Sequence, residues 1–259
     1  MILTSHTPID IDAAVTDMET IKHIKLSRIE RANVTVCLQS ISNIHSVIAM
    51  TENTKKQSFH WENPTDYALI DRYWTAMFPS VRRKHATISA EWGELGFQGT
   101  DPATDFRGMG ILGLIQLEYF AVTRTDEARK VLADSMHPRR YYPFSATGIN
   151  ITAFVLEMLR ENRLHPVLLH RLETYCLESR SSQMASPVGT GMMYASENSD
   201  TGNELLSEAC LALHEIYCDV FVAFNDLWVQ RDPQNIMSFA SIFDEVKYRV
   251  RVKYPAIGQ

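Results

Sequence analysis

The sequence lacks an excess of basic side chains and has few cysteines for its 259 residues. Lys and Arg number 25 and Asp and Glu number 31, so the formal net charge is −6. Nucleic-acid-binding domains depend on clustered basic residues, and this balance argues against a nucleic acid partner. The four cysteines include no CxxC pair and do not make a disulfide framework, so we expect reduced thiols.

Long apolar runs are also missing. The first residues, MILTSHTPIDID, contain neither a basic segment nor an apolar stretch, which argues against a secretory signal. No part of the sequence approaches 18 uninterrupted apolar residues, the length that a membrane-spanning helix needs. We therefore expect a cytoplasmic protein whose contact with an organelle membrane is at most peripheral or made through a partner.

Strict alternation of apolar and polar residues, the pattern of half-buried strands, is nearly absent, while apolar residues recur every three or four positions. This periodicity predicts an all-α fold. Two helices are predicted in the N-terminal quarter, around residues 21–29 and 34–48. Asp/Asn-Pro pairs at 63–64 and 232–233 predict two helix starts. Five further helices are predicted at residues 106–123, 126–136, 146–163, 166–179 and 204–229.

Residues 178–203 interrupt this helical rhythm with Ser, Gly, Asn and Pro. They predict a long loop that is functional or poorly ordered. The helices on either side are too apolar to stand alone, which argues against a linker between domains. We predict a helical region at residues 1–55 and a larger domain at 60–255 that includes this loop.

Several catalytic signatures are absent. No GxxxxGK[ST] run exists to hold nucleotide phosphates, so the chain is not expected to be a GTPase or ATPase. His214, Glu215 and Cys218 resemble the HExxH zinc motif, with cysteine in place of the second histidine. A helical face packed in the core is the favoured interpretation, and no metal is expected. His165 and His170 are five residues apart, a poor spacing for metal ligands, and are predicted to lie at the surface.

The densest segment comprises residues 92–117, WGELGFQGTDPATDFRGMGILGLIQL, which contain six of the eleven glycines. Asp101-Pro102 predicts a turn, and Thr104 or Asp105 is expected to cap a helix that begins near Phe106. Arg107 would then lie in the first helical turn, where free backbone N–H groups favour an anion such as phosphate. The alternative is a structural arginine tied to Asp101, Asp105 or a distant carboxylate.

This segment resembles the signature W-x3-GFQ-x3-P-x-TDFRG-x-G-x3-L-x2-L of the ELMO domain, and in particular that of the ELMO-domain-only proteins. The matching residues are Trp92, Gly96, Phe97, Gln98, Pro102, Thr104, Asp105, Phe106, Arg107, Gly108, Gly110, Leu114 and Leu117. The similarity continues through VLADSMHP, YPFSATGINIT, FNDLW and PQNIMSF, and covers roughly residues 64–253. Residues 178–203 look like an insertion relative to the family.

The resemblance implies a single multi-helix orthogonal bundle at residues 60–255, with the N-terminal helices packed on it. It also implies a GTPase-activating protein for an Arf-family small GTPase, notably an Arf-like one. Arg107 matches the essential arginine of that family and would be supplied in trans as an arginine finger. The protein would have no active site and no cofactor of its own, because GTP and magnesium would belong to the partner GTPase.

Supporting roles follow for the residues around Arg107. Asp105 aims the arginine or caps a helix, and capping is favoured. Gln98 is more readily a structural amide than a group that positions the attacking water. Trp92, Phe97 and Phe106 are expected to anchor the segment by packing. Gly108 and Gly110 are expected to let two backbone segments approach closely.

Two non-catalytic alternatives stay open. One is a scaffold like the larger ELMO proteins, which bind Dock-type exchange factors. The other is an adaptor that binds a small GTPase without accelerating hydrolysis. The larger scaffolds carry additional armadillo-like and pleckstrin-homology regions and typically lack the motif arginine. The presence of Arg107 and the short length of the chain favour the activating class.

Overall fold

The structure is a computed structural model that describes residues 10–184 and 199–256. The described residues form helices, turns and loops without a strand, which confirms the all-α prediction. The α-helices are α1 (Ile11–Lys22), α2 (Arg28–Lys56), α3 (Pro64–Met77), α4 (Gly110–Thr123), α5 (Thr125–Ser135), α6 (Phe144–Arg160), α7 (His165–Met184), α8 (Ser199–Arg231) and α9 (Phe239–Lys253). By packing, the chain divides into two compact units. The first unit comprises residues 1–50 and 164–213, and the second comprises residues 51–163 and 214–259.

In the second unit, α4 is the central helix. It packs against α3, α5 and α6, while α5 also contacts α3 and α6. The sequence of α4, GILGLIQLEYFAVT, is apolar on nearly every side, a composition that requires burial. Gly148 of α6 allows this packing to be close, because a Cβ there would lie 2.5 Å from Leu117 Cδ2.

The two Asp/Asn-Pro pairs have different outcomes. Asn63 caps α3, its side chain accepting a hydrogen bond from the Thr65 N–H at 2.9 Å, and Pro64 is the first helical residue, as predicted. The predicted helix start at 232–233 is wrong. Asp232 has a positive φ of 46° and follows the last residue of α8. Its carboxylate pairs with Arg139, and α9 begins only after the short 3₁₀ turn Ile236–Ser238.

In the first unit, the predicted helix across residues 21–29 is wrong. α1 ends at Lys22, where His23 adopts the left-handed conformation, and α2 begins at Arg28. Ile21 and Ile29 are 73% and 74% exposed, so the isoleucine spacing did not reflect a buried face. The residues between the two helices are held by Glu19, which pairs with Arg31 at 2.7 Å and accepts from a backbone N–H.

The helix predicted at residues 34–48 lies within α2, and its apolar face is partly buried. By length and composition α2 is also apolar enough to cross a membrane, and 44% of its most apolar stretch is buried. His165, predicted at the surface, is only 3% exposed because it begins α7 beside the buried Leu164, whereas His170 is exposed.

The predicted loop at residues 178–203 is partly helical. Residues 178–184 continue α7, and residues 199–203 begin α8. The stretch 178–184, ESRSSQM, contains no Gly or Pro, so nothing in it stops a helix. The remainder of the predicted loop, residues 185–198, lies outside the described residues.

Candidate functional site

The segment that carries the family signature lies entirely in the second unit and folds as two short 3₁₀ turns followed by α4. The turns are Ala90–Leu95 and Pro102–Thr104. The prediction of a helix that begins near Phe106 is wrong, because residues 106–109 form a turn and α4 begins at Gly110. Gly110 has a φ of +53°, which interrupts the helical path between the turn and α4.

Asp105 therefore does not cap a helix, contrary to the favoured prediction. Its carboxylate accepts a hydrogen bond from the Gln98 backbone N–H at 2.7 Å and so ties together two parts of the signature segment. Partial burial raises the pKa of Asp105, while this hydrogen bond and the positive charge of Arg107 act in the opposite direction. Asp105 thus holds the backbone around Arg107 in place and makes no direct contact that orients the guanidinium.

Three aromatic side chains of the signature segment are buried beneath it. Trp92 is fully buried, and Phe97 and Phe106 are 4% and 1% exposed. The ring of Phe97 meets those of Trp92 and Phe106 edge to face, at centroid distances of 5.9 Å and 5.6 Å. Such contacts contribute beyond simple area burial and fix ring orientation. The turn that carries Arg107 is therefore anchored by the residue immediately before it.

Gly110 fits against the end of α2 so closely that no side chain could be accommodated. A Cβ at Gly110 would lie 2.3 Å from the Lys55 carbonyl oxygen and 2.4 Å from that of Gln57. The next residue, Ile111, donates its backbone N–H to the Gln57 carbonyl at 2.9 Å. Gly108 differs from its expected role, because a Cβ there would meet no heavy atom within 4 Å. Close backbone approach is thus a property of Gly110.

Arg107 is exposed, and its guanidinium is held at one end. Its Nε donates a hydrogen bond to the Thr104 carbonyl at 2.7 Å, and no ion pair joins it to a carboxylate of the described residues. Asp101, proposed above as a structural partner, instead accepts from the Trp61 indole N–H and the Ala103 N–H, each at 3.0 Å. The two terminal nitrogens of Arg107 are therefore available to a ligand.

A cleft of about 270 Å³ lies beside Arg107. It is lined by residues 55–59, 103, 106–108 and 110. The rings of Phe59 and Phe106, 5.5 Å apart, form part of its wall. Three cationic residues, Lys55, Lys56 and Arg107, contribute to the lining and no carboxylate does. The cleft is suited to an anionic group.

The lysine side of this cleft was missed by sequence reasoning. Lys55 and Lys56 close α2 about fifty positions before Arg107, and no motif links them to it. The one available signal was Gly110, because a required glycine implies that another backbone lies against it, although it cannot tell which one.

Gln98 is exposed, and its contact with Asp105 is made by the backbone N–H. No hydrogen bond of its side-chain amide occurs within the described residues, so the structural contact of Gln98 is made by its backbone.

The side chains of the zinc-like motif in α8 make interactions with other parts of the protein. His214 packs against the Tyr119 ring at a centroid distance of 4.9 Å. Glu215 accepts a hydrogen bond from the Tyr119 hydroxyl at 2.5 Å and pairs with Arg124. Cys218 is buried, and burial raises the pKa of its thiol. Among residues 10–184 and 199–256, no group of three metal-ligating side chains occurs.

The partly buried side chain of His214 predicts that the stability of the protein depends on pH. Burial lowers its pKa from 6.5 to about 4, so the folded protein keeps this imidazole neutral while the unfolded chain takes up a proton as the pH falls below 6.5. The contribution of His214 to the free energy of unfolding is therefore fully present above pH 6.5 and is lost as the pH falls towards 4. Between pH 7 and 5.5, we expect its contribution to the free energy of unfolding to fall by about 1 kcal/mol. Urea unfolding of wild type and His214→Gln at both pH values checks this, and an equal pH dependence in both proteins would contradict it.

Comparison with known proteins matches residues 49–243 to the model of the ELMO/CED-12 family. ELMO domain-containing protein B of Dictyostelium discoideum is 33% identical over 218 residues, which cover 84% of this chain and 64% of that protein. Human ELMO domain-containing protein 2 is 29% identical over 218 residues, with 84% and 62% covered. Bovine ELMO domain-containing protein 1 is 27% identical over 231 residues, with 83% and 61% covered. The chain thus spans a little under two thirds of the length of these relatives. It belongs to the ELMO/CED-12 family, and its relatives are proteins of the ELMO-domain-only type.

Proposed function

We propose that this protein is a GTPase-activating protein for an Arf-family small GTPase, in particular an Arf-like one, and that Arg107 is its arginine finger. The proposal combines the activity that the family signature implies with the local geometry of Arg107. It includes no cofactor, metal or nucleic acid for this chain. Its setting would be the cytoplasm, with membrane contact only peripheral or through the GTPase.

The observation that carries the proposal is the hydrogen bonding of the Arg107 guanidinium. One donor, Nε, is fixed by the Thr104 carbonyl, while both terminal nitrogens project from an exposed side chain without a carboxylate partner. No group of the described part of the fold therefore competes with a ligand for these donors. Fixing Nε also limits the directions in which the planar group can point, which lowers the ordering cost on binding.

This arrangement suits phosphoryl transfer. In hydrolysis of GTP the GTPase supplies the phosphate-binding loop, Mg²⁺ and the attacking water, and negative charge develops around the γ-phosphate and the bridging oxygen. Two N–H groups of an arginine delivered in trans neutralise that charge. Such a residue typically contributes about 10³ to 10⁵ in rate, equivalent to roughly 4 to 7 kcal/mol of barrier.

The support around Arg107 is consistent with a finger held in place before binding. Phe106 is buried on one side of it, and Gly110 is held against the end of α2 on the other. The Asp105 carboxylate ties the turn to Gln98. Because the residues that make these contacts, Asp105, Phe106 and Gly110, lie within three positions of Arg107, the turn needs little rearrangement to present the guanidinium.

The test is single-turnover hydrolysis of GTP by a panel of purified Arf and Arf-like GTPases, with and without this protein at saturating concentration. We expect at least one GTPase to be stimulated by a factor of about 10³ or more. Absence of stimulation across the panel, with binding to a GTP-loaded member retained, would overturn the proposal in favour of the non-catalytic adaptor.

A further inference from the structure

We propose that Lys55 and Lys56 form a docking site for an acidic side chain on the surface of the partner GTPase, next to the point where Arg107 enters the nucleotide site. The inference rests on the proposed function and extends it from a single reacting group to a recognition surface. It assigns the lysines to binding of the partner and leaves the chemistry to Arg107.

The site is the cleft between the end of α2 and the Arg107 turn. Both lysines line it together with Arg107, and its volume of about 270 Å³ is sufficient for a carboxylate-bearing side chain. Its wall includes the buried rings of Phe59 and Phe106, which can cover the methylene groups of an inserted Asp or Glu. The cleft thus combines an apolar wall with a cationic rim formed by Lys55, Lys56 and Arg107.

The positive charge of this rim is only partly offset by neighbouring groups. Neither lysine forms an ion pair with a carboxylate of the described residues. Glu52, the acidic residue closest along α2, pairs with Arg160, and this hydrogen bond is the main cause of the lowered pKa of Glu52, to which the charges of Lys55 and Lys56 add a smaller contribution. The lysines and Arg107 therefore form a local concentration of positive charge on a chain whose overall charge is −6.

A protein carboxylate fits the cleft better than the nucleotide. Arg107 is an exposed side chain whose terminal nitrogens have no partner among the described residues, whereas the cleft that it lines together with Lys55 and Lys56 is a depression in the surface of this protein. The phosphates of GTP lie in a pocket of the GTPase, so only a projecting group can reach them. A depression instead receives something that protrudes from the partner. An acidic side chain beside the nucleotide pocket of the GTPase would protrude in this way, and its negative charge would complement the positive charge of the rim.

The position of the two lysines has one alternative explanation, which the test must distinguish from docking. Cations in the last turn of a helix interact favourably with the helix dipole, and Lys55 and Lys56 occupy that position in α2. Lys22 occupies the same position in α1 and, like Lys56, is exposed. It is not one of the residues that line the cleft. Lys22→Glu therefore reproduces the loss of the dipole interaction and the change in net charge without altering the cleft.

The experiment measures stimulated GTP hydrolysis as a function of the concentration of the GTP-loaded GTPase, for wild type, Lys55→Glu, Lys56→Glu and Lys22→Glu. In 50 mM salt we expect each cleft variant to raise KM about tenfold and to leave kcat within about twofold. In 500 mM salt the difference in KM should shrink severalfold, because the charges are then screened. Lys22→Glu should match wild type, and thermal unfolding should confirm that all four proteins are folded.

The outcomes distinguish this inference from the proposed function. If stimulation is normal and KM is unchanged in both cleft variants, the docking site is wrong and the arginine finger stands. A fall in kcat at constant KM would place the lysines on the phosphates and overturn the docking role. If no GTPase is stimulated, binding of the same GTP-loaded panel is measured directly. Salt-sensitive binding that both cleft variants weaken would support docking without catalysis, and no effect on binding would overturn it.

Discussion

Replacing Arg107 with alanine is expected to lower the stimulated rate of GTP hydrolysis by about 10³-fold or more. The variant loses the donors that would neutralise the charge of the transition state, and no other arginine lines the cleft. Arg107→Lys is expected to recover only a small part of the rate, because an ammonium group lacks the planar pair of N–H donors. Single-turnover hydrolysis at saturating activator concentration measures both effects.

Two controls make this result interpretable. Binding to the GTP-loaded GTPase should change far less than kcat, since the guanidinium acts mainly in the transition state. Arg82→Ala removes an exposed arginine from another loop of the second unit and should behave as wild type. Equal stimulation by wild type, Arg107→Ala and Arg107→Lys would refute the arginine finger.

The second large effect is expected at Gly110. Gly110→Ala would place a Cβ within 2.4 Å of two backbone carbonyl oxygens and would force a side chain into a positive φ of 53°. Backbone carbonyls at a helix end cannot move aside as a flexible side chain can. We expect the free energy of unfolding to fall by about 3 kcal/mol, from the left-handed conformation and the overlap together.

Gly108→Ala is the matched control for this prediction. Gly108 is two residues from Gly110 and directly follows Arg107, but a Cβ there would meet no heavy atom within 4 Å. Its stability should lie within about 0.5 kcal/mol of wild type. Urea unfolding of the two variants at the same pH provides the comparison. Similar stability in both would show that the end of α2 does not lie against Gly110 as described.

The helices could be predicted where the local sequence determines them. Asn63 and Pro64 act through their own backbone and the next turn, so their effect was visible without knowledge of the fold. Asp232 carries the same chemistry but is held by Arg139, about ninety residues away, and its backbone follows that contact. Long-range partners of this kind leave no periodic signal in the sequence.

The site was predictable only in part for a related reason. The signature identified Arg107 and its neighbours, but it also suggested a helix starting at Phe106, since Thr104 and Asp105 are good capping residues. In the structure the Asp105 carboxylate accepts a hydrogen bond from the Gln98 backbone N–H, and it makes this contact instead of capping a helix. Lys55 and Lys56 enter the site because a glycine fifty positions later accepts the end of α2, a relationship that requires the fold.

The contact between Gly110 and the end of α2 has a practical consequence for anyone who shortens this protein. A fragment that began at residue 60, where the signature-bearing region was predicted to start, would lack residues 55–59. It would lose the carbonyls that hold Gly110 and Ile111, the Phe59 ring and one entire wall of the cleft. The family match begins earlier, at residue 49, and retains all of them. For expression and crystallisation, the N-terminal boundary should therefore be placed upstream of the last turns of α2.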